Sequence, residues 1–115
     1  MKVTDLIAEV LKKNLVQHVF GLQGGAVVHI FDSLIKKKID VTFTHHEESA
    51  ALAAVANSKA SKNIGCAVVT TGPGTTNAIT GLLAAWQDSI PVIFISGQAR
   101  SNHTSYNKKV RQVGT

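Results

Sequence analysis

Hydrophobic positions along the chain follow two periodicities. Near the N-terminus, valine, leucine and isoleucine recur at helical spacing behind Thr4, a suitable N-cap, and this pattern predicts an amphipathic helix. Farther along, short apolar runs bounded by glycine, proline or polar residues predict strands. The predicted strands are 16–20, 39–43, 64–70 and 91–95, and the predicted helices between them are 26–37, 48–60 and 75–87.

This alternation of strands and helices predicts the fold class. Strands that are apolar throughout are typical of a parallel sheet covered on both faces. We therefore expect an α/β fold, a three-layer sandwich with an open, mostly parallel sheet. Ligands of such sheets bind at the carboxyl ends of the strands. The turns that fall at that end are 21–25, 44–48, 71–75 and 96–98.

Length and composition limit the class of protein. A chain of 115 residues is one domain, and its 44% hydrophobic and 17% charged residues are typical of a soluble globular protein. Beyond residue 98 the pattern dissolves, so we expect one domain over 1–115 that is incomplete at its C-terminus. The single cysteine, Cys66, stands in an apolar run and is expected to be a buried structural thiol.

The charge pattern and the N-terminus exclude other classes. The net charge of +5 comes mostly from lysines at predicted helix ends, without the interleaved aromatic residues of a nucleic-acid surface. No apolar run approaches the roughly 20 residues that span a bilayer. The first residues carry charges and do not form a signal peptide. We expect a cytoplasmic protein that binds neither nucleic acid nor membrane.

Glu47 is the most informative residue. It stands between a strand and an alanine-rich helix that can bury little except methyl groups. A carboxylate in such a place lies where water is scarce and can exchange a proton with a ligand. The neighbouring His45, His46 and Glu48 do not make a metal site with it, because adjacent side chains point in different directions.

Two glycine turns are candidate ligand sites. Gly72, Pro73 and Gly74 follow a strand and open a helix, which is the context of phosphate and nucleotide binding. Asn77 stands where a dinucleotide fingerprint has its third glycine, and a tight turn without a ligand is the structural alternative. Gly24-Gly25 fits either a phosphate nest or a closely packed helix start.

Two further features bear on packing. The alanines of helix 48–60 permit close packing, in the core or at a subunit interface. Trp86, near the end of the last predicted helix, is expected in the core.

Together these motifs carry a family resemblance. The chain resembles the N-terminal, pyrimidine-binding domain of thiamine-diphosphate enzymes, the group of acetolactate synthase, pyruvate oxidase and the 2-oxo acid decarboxylases. The resemblance extends from about residue 4 to residue 115. The motifs that carry it, in intact order and spacing, are 20–25, His46-Glu47, 72–77, 88–92 and 96–98.

The resemblance implies roles for these residues. In that family the carboxylate matching Glu47 hydrogen-bonds N1′ of the cofactor's aminopyrimidine and promotes loss of the thiazolium C2 proton. The other residues that it implies at the cofactor, less directly, are Gly24, Gly25, Gly72, Pro73, Gly74, Asn77 and Gln98. It also implies a 2-oxo acid substrate and a homodimer or homotetramer in which two subunits share the active site.

The resemblance also shows what this chain lacks. The family binds diphosphate and Mg²⁺ through a second domain with a Gly-Asp-Gly motif, which does not occur here. We therefore expect thiamine diphosphate as cofactor, with Mg²⁺ held by a domain of the same or a second chain, and little activity from this chain alone. The sequence leaves FAD open, because its site would lie in a region absent from the chain.

Departures from the family pattern concern the substrate. Many members have proline where Gln23 stands, and acetolactate synthases typically have Gln-Gly in place of Glu48-Ser49. Decarboxylase, carboligase and oxidase activities therefore stay open. Two alternatives to an acetolactate synthase-like enzyme are a split subunit of a two-chain decarboxylase and a non-catalytic nucleotide-binding or interaction module.

Overall fold

The computed structural model describes residues 1–100, so expectations for residues 101–115 lie outside the described part of the chain. The helices are α1 (Val3–Lys13), α2 (Val28–Lys36), α3 (Glu47–Ser61), α4 (Pro73–Asn77) and α5 (Ile79–Gln87). The strands are β1 (His18–Gly21), β2 (Asp40–Phe43), β3 (Gly65–Val69) and β4 (Val92–Ser96).

The four strands form one parallel sheet. Their order is β2-β1-β3-β4, and each neighbouring pair is parallel. The register pairs Gly21 with both Phe43 and Val68, and Val69 with Ser96, so the carboxyl ends of the strands meet along one edge. This edge carries the turns predicted to form the site.

Helices cover both faces of the sheet. On one face, α1 and α2 bury the larger core, in which Phe31 and Leu34 of α2 pack near Cys66 and Val68 of β3. On the other face, Ala51 of α3 packs with the opposite side of β3 and β4. Alternate side chains of a strand point to opposite faces, which explains this division. The three-layer α/β sandwich with an open parallel sheet is confirmed.

Helix α3 lies very close to the sheet. A Cβ on Gly65 of β3 would stand 2.3 Å from the carbonyl oxygen of Ala54 in α3. The buried Ser58 hydroxyl donates to the carbonyls of Asn63 (2.8 Å) and Pro91 (3.0 Å). The alanines of α3 that face inward are therefore core residues, and they fix the helix that begins at Glu47.

Three details differ from the predicted pattern. Helix α1 begins at Val3 rather than behind Thr4, because the Lys2 N–H donates to Asp5 Oδ2 (3.0 Å). The helix predicted over 75–87 is two helices that meet at Ala78. Trp86, predicted in the core, is 82% exposed because it lies on the outer side of α5.

No helix within residues 1–100 is long and apolar enough to cross a membrane.

We expect Gly65→Ala to lower the free energy of unfolding by about 1 to 3 kcal/mol, the usual cost of overpacking. The added methyl would meet the Ala54 carbonyl, which belongs to a helix and cannot rotate away. Denaturant unfolding measures this change. Gly25→Ala is the matched control, because a Cβ there meets no atom within 4 Å. Equal stability of the two variants would contradict the close packing of α3.

Cys66 gives a pH-dependent prediction. Burial raises the pKa of its thiol from 9.0 to about 12. Between these values the unfolded chain loses the proton that the folded chain keeps, so the contribution of Cys66 to stability is complete below about pH 9 and falls as pH rises. The slope approaches about 1.4 kcal/mol per pH unit.

The measurement is the free energy of unfolding from about pH 8 to about pH 10, for the natural sequence and for Cys66→Ala. The slope is the readout, because the cavity left by the substitution lowers stability at every pH. We expect the variant to lose less stability as pH rises. Identical slopes would show that the thiol is not buried.

Candidate functional site at the carboxyl edge of the sheet

The turn from β2 to α3 fixes the position of Glu47. The Thr44 N–H donates to the Gly21 carbonyl (2.9 Å), and the Thr44 hydroxyl donates to the His46 carbonyl (2.7 Å). The ring of His46 accepts a hydrogen bond at Nδ1 from the Glu48 N–H (3.2 Å) and caps α3. His46 is exposed, and its hydrogen bond goes to the helix start. Glu47 is therefore the first residue of α3.

The carboxylate of Glu47 is buried, with only 9% of the residue exposed. Its Oε2 accepts a hydrogen bond from Asn77 Nδ2 at 3.0 Å. Its other oxygen, Oε1, accepts none from any side chain or backbone group among residues 1–100. A buried carboxylate stabilised by one donor and by the helix N-terminus keeps one oxygen for a ligand.

The turn from β3 to α4 stands opposite this carboxylate. Gly72 has a φ of 73°, a conformation that favours glycine, and Pro73 begins the helix. The Thr75 hydroxyl donates to the Thr70 carbonyl (2.9 Å) and also shares a hydrogen bond with Ser96. These bonds tie α4 to the ends of β3 and β4.

Thr70 lies at the centre of the site, and sequence reasoning did not single it out. A Cβ on Gly24 would stand 2.4 Å from both Cβ and Oγ1 of Thr70. A Cβ on Gly74 would stand 2.8 Å from Thr70 Cγ2 and 3.4 Å from Glu47 Oε1. Both glycine turns thus meet over one side chain. The sequence feature that could have identified Thr70 is its position directly after an apolar strand and before a glycine turn.

Two predicted site residues lie farther out. Gln98 is exposed, and its Oε1 accepts from the Ala99 N–H (2.7 Å) and from the Thr71 hydroxyl (3.4 Å). It therefore lies beside the β3–α4 turn, at the same edge of the sheet. Gly25 is exposed, and a Cβ there would meet no atom. The structure gives neither residue a contact with Glu47 within the described range.

The arrangement has the features that a heteroaromatic ring would need. Glu47 Oε1 lies close to Gly74, where an added Cβ would stand 3.4 Å from the oxygen. A carboxyl oxygen without a fixed partner can give a proton to a ring nitrogen or receive one from it. Among residues 1–100, no group of three His, Cys, Asp or Glu side chains could hold a metal ion.

Comparison with known families shows which family the chain belongs to. Residues 1–114 match the family described as "Thiamine pyrophosphate enzyme, N-terminal TPP binding domain". The chain belongs to this family. Thiamine pyrophosphate (TPP) is thiamine diphosphate, so the resemblance recognised from the sequence motifs is confirmed.

The relatives of this TPP-binding domain include acetolactate synthase large subunits. The proteins of that name from Haemophilus influenzae and Methanocaldococcus jannaschii, the latter named as probable, are each 40% identical over 85% of this chain. Isozyme 2 of Escherichia coli is 40% identical over 80% of it. The chain covers 17% of the length of each of the three. The domain is therefore acetolactate synthase-like and corresponds to a small part of these relatives.

Variants of Gly74 and Gly24 are expected to respond differently to the substitution Thr70→Ser. Gly74→Ala is expected to cost about 1 to 3 kcal/mol of stability, and Thr70→Ser should relieve it, because serine lacks the Cγ2 methyl group in the way. Thr70→Ser should not relieve Gly24→Ala, because serine removes only the Cγ2 contact (2.6 Å) and keeps the two shorter contacts with Cβ and Oγ1 (2.4 Å each).

Double-mutant cycles of unfolding free energy give this comparison. We expect a stabilising coupling energy between Thr70→Ser and Gly74→Ala. We expect no stabilising coupling energy between Thr70→Ser and Gly24→Ala. Relief of both glycine variants by Thr70→Ser, or of neither, would contradict the placement of Thr70.

Proposed function

We propose that this TPP-binding domain holds the aminopyrimidine of thiamine diphosphate in an enzyme that decarboxylates and ligates 2-oxo acids, as an acetolactate synthase does. One observation carries the proposal. Glu47, a buried residue at the carboxyl edge of the sheet, has Oε2 held by Asn77, while Oε1 lies beside Gly74 without a hydrogen-bond partner among residues 1–100.

In this proposal Glu47 exchanges a proton with N1′ of the aminopyrimidine through Oε1. Burial of the carboxylate excludes water that would compete for the proton. Gly74 lies beside Oε1, and Thr70 packs closely against both Gly24 and Gly74. When bound, thiamine diphosphate supplies a carbon nucleophile for the substrate carbonyl and an electron sink for decarboxylation.

The diphosphate and Mg²⁺ require other groups. Residues 1–100 contain no cluster of side chains suited to a metal ion, and the acetolactate synthase subunits named above are much longer than this chain. We therefore propose that a diphosphate- and Mg²⁺-binding domain lies in the same or a second chain, and that the enzyme is the homodimer or homotetramer that the family resemblance implies. The present chain then supplies half of a site and has little activity alone.

Glu47→Gln tests the proposal in the complete enzyme that carries this domain. Glutamine has nearly the same shape and keeps a hydrogen bond, but it cannot exchange a proton. We expect kcat for turnover of a 2-oxo acid such as pyruvate to fall by about 10²-fold or more, the usual contribution of a general acid–base group. Thermal unfolding should stay close to that of the natural sequence.

Glu48→Gln is the matched control. It makes the same substitution one residue along α3, at a side chain that is not fully buried and has no contact with Asn77 in the described structure. We expect it to keep turnover within a few-fold of the natural enzyme. Turnover by Glu47→Gln at the level of Glu48→Gln would refute the assignment.

A further inference from the structure

We propose that Asn77 is a positioning residue that acts through Glu47, rather than a residue that contacts the cofactor. In this role it holds Oε2 and so directs Oε1 alone to the ligand. The inference rests on the proposed function, because it concerns how the same carboxylate is aimed. It assigns Asn77 a role different from the cofactor contact implied by the family resemblance.

The hydrogen bond between these residues joins two helices. Glu47 is the first residue of α3 and Asn77 is the last of α4, and Nδ2 of Asn77 lies 3.0 Å from Oε2. A glutamate side chain has three rotatable bonds, so a carboxylate without a fixed partner would sample several directions. The bond removes that freedom at the oxygen away from Gly74.

Asn77 can fix Glu47 because its own helix is fixed. Helix α4 has only five residues, yet it is tied to β3 and β4 by the hydrogen bonds of Thr75 to Thr70 and Ser96. The amide is half-buried beside the carboxylate. The Nδ2 group must face Oε2, since the alternative orientation would place two acceptor oxygens together.

Positioning of Glu47 by Asn77 and direct binding of the cofactor by Asn77 predict different effects when Asn77 is removed. If Asn77 acts through Glu47, its loss should lower kcat, because a misdirected proton-transfer group lowers the rate of the reacting complex. If instead Asn77 contacts the cofactor, its loss should mainly raise the Kd for thiamine diphosphate. The two roles therefore predict different measurable constants.

The first readout is the side-chain order of Glu47, which needs no catalytic activity. The chain contains three glutamates, Glu9, Glu47 and Glu48, so selective ¹³C labelling of glutamate gives a simple NMR spectrum. We expect the three-bond couplings of Glu47 to report one rotamer in the natural sequence and averaging in Asn77→Ala. Asn14→Ala is the control, because it also removes one Nδ2 hydrogen bond (2.9 Å, to the Val10 carbonyl) but at the opposite edge of the sheet.

The second readout is kinetic and uses the complete enzyme. We expect Asn77→Ala to lower kcat about 10- to 100-fold, while the Kd for thiamine diphosphate and the KM for pyruvate change about 3-fold or less. Asn77→Asp keeps the shape but replaces the donor with a like charge, so it should lower kcat further. Combined with Glu47→Gln, Asn77→Ala should add no further loss.

The outcomes separate this inference from the proposed function. An unchanged Glu47 rotamer in Asn77→Ala, or a loss confined to the Kd for thiamine diphosphate, would overturn the positioning role. Glu47→Gln would still abolish turnover in that case, and the proposed function would stand. If Asn77→Ala does not fold, Asn77→Ser replaces it, because its short hydroxyl side chain cannot span the distance to Oε2.

Discussion

The close approach of helix α3 to its neighbours governs the rest of the structure. Ala54 packs against Gly65 of β3, and Ala51 packs against Gly81 of α5. A Cβ added to Gly81 would stand 2.4 Å from the Ala51 methyl. Larger side chains would push the helix outward from the sheet. Since Glu47 is the first residue of α3, any such shift would move the carboxylate away from Asn77. Small residues in the core thus determine where a charged group lies.

The site itself comes from the ends of three strands. The turns after β1, β2 and β3 contribute Gly24, Glu47 and Gly74, and Thr70 contacts two of them. A parallel sheet brings such turns together although they are distant in sequence. The turns after β1 and β3 supply glycines, which have no side chain, and the turn after β2 supplies a carboxylate. The glycines and the polar group therefore come from different parts of the chain.

Much of this arrangement follows from sequence because it depends on local patterns. Apolar runs predicted the four strands to within two residues at every end, and the position of Glu47 between a strand and an alanine-rich helix predicted a buried carboxylate. The contact of Thr70 with Gly24 depends on how two distant turns pack, so no local pattern reveals it. The helix break at Ala78 was missed because the sequence from 75 to 87 contains no proline to mark it. Trp86 was placed in the core by residue type alone, but the inward positions of α5 are filled by Gly81 and Ala85.

The carboxylate of Glu47 has one fixed oxygen and one that a ligand could pair with. Burying a carboxylate costs free energy unless its oxygens are paired, and here one oxygen is paired and the other is not, within the described residues. Position 74 cannot supply a second side-chain donor to the carboxylate, because an added Cβ there would stand 2.8 Å from Thr70 Cγ2. Oε1 is not enclosed, since no fully buried side-chain nitrogen or oxygen of the described residues lacks a hydrogen-bond partner. A ring nitrogen that pairs with Oε1 would recover part of that cost, so binding and the burial of Glu47 favour one another.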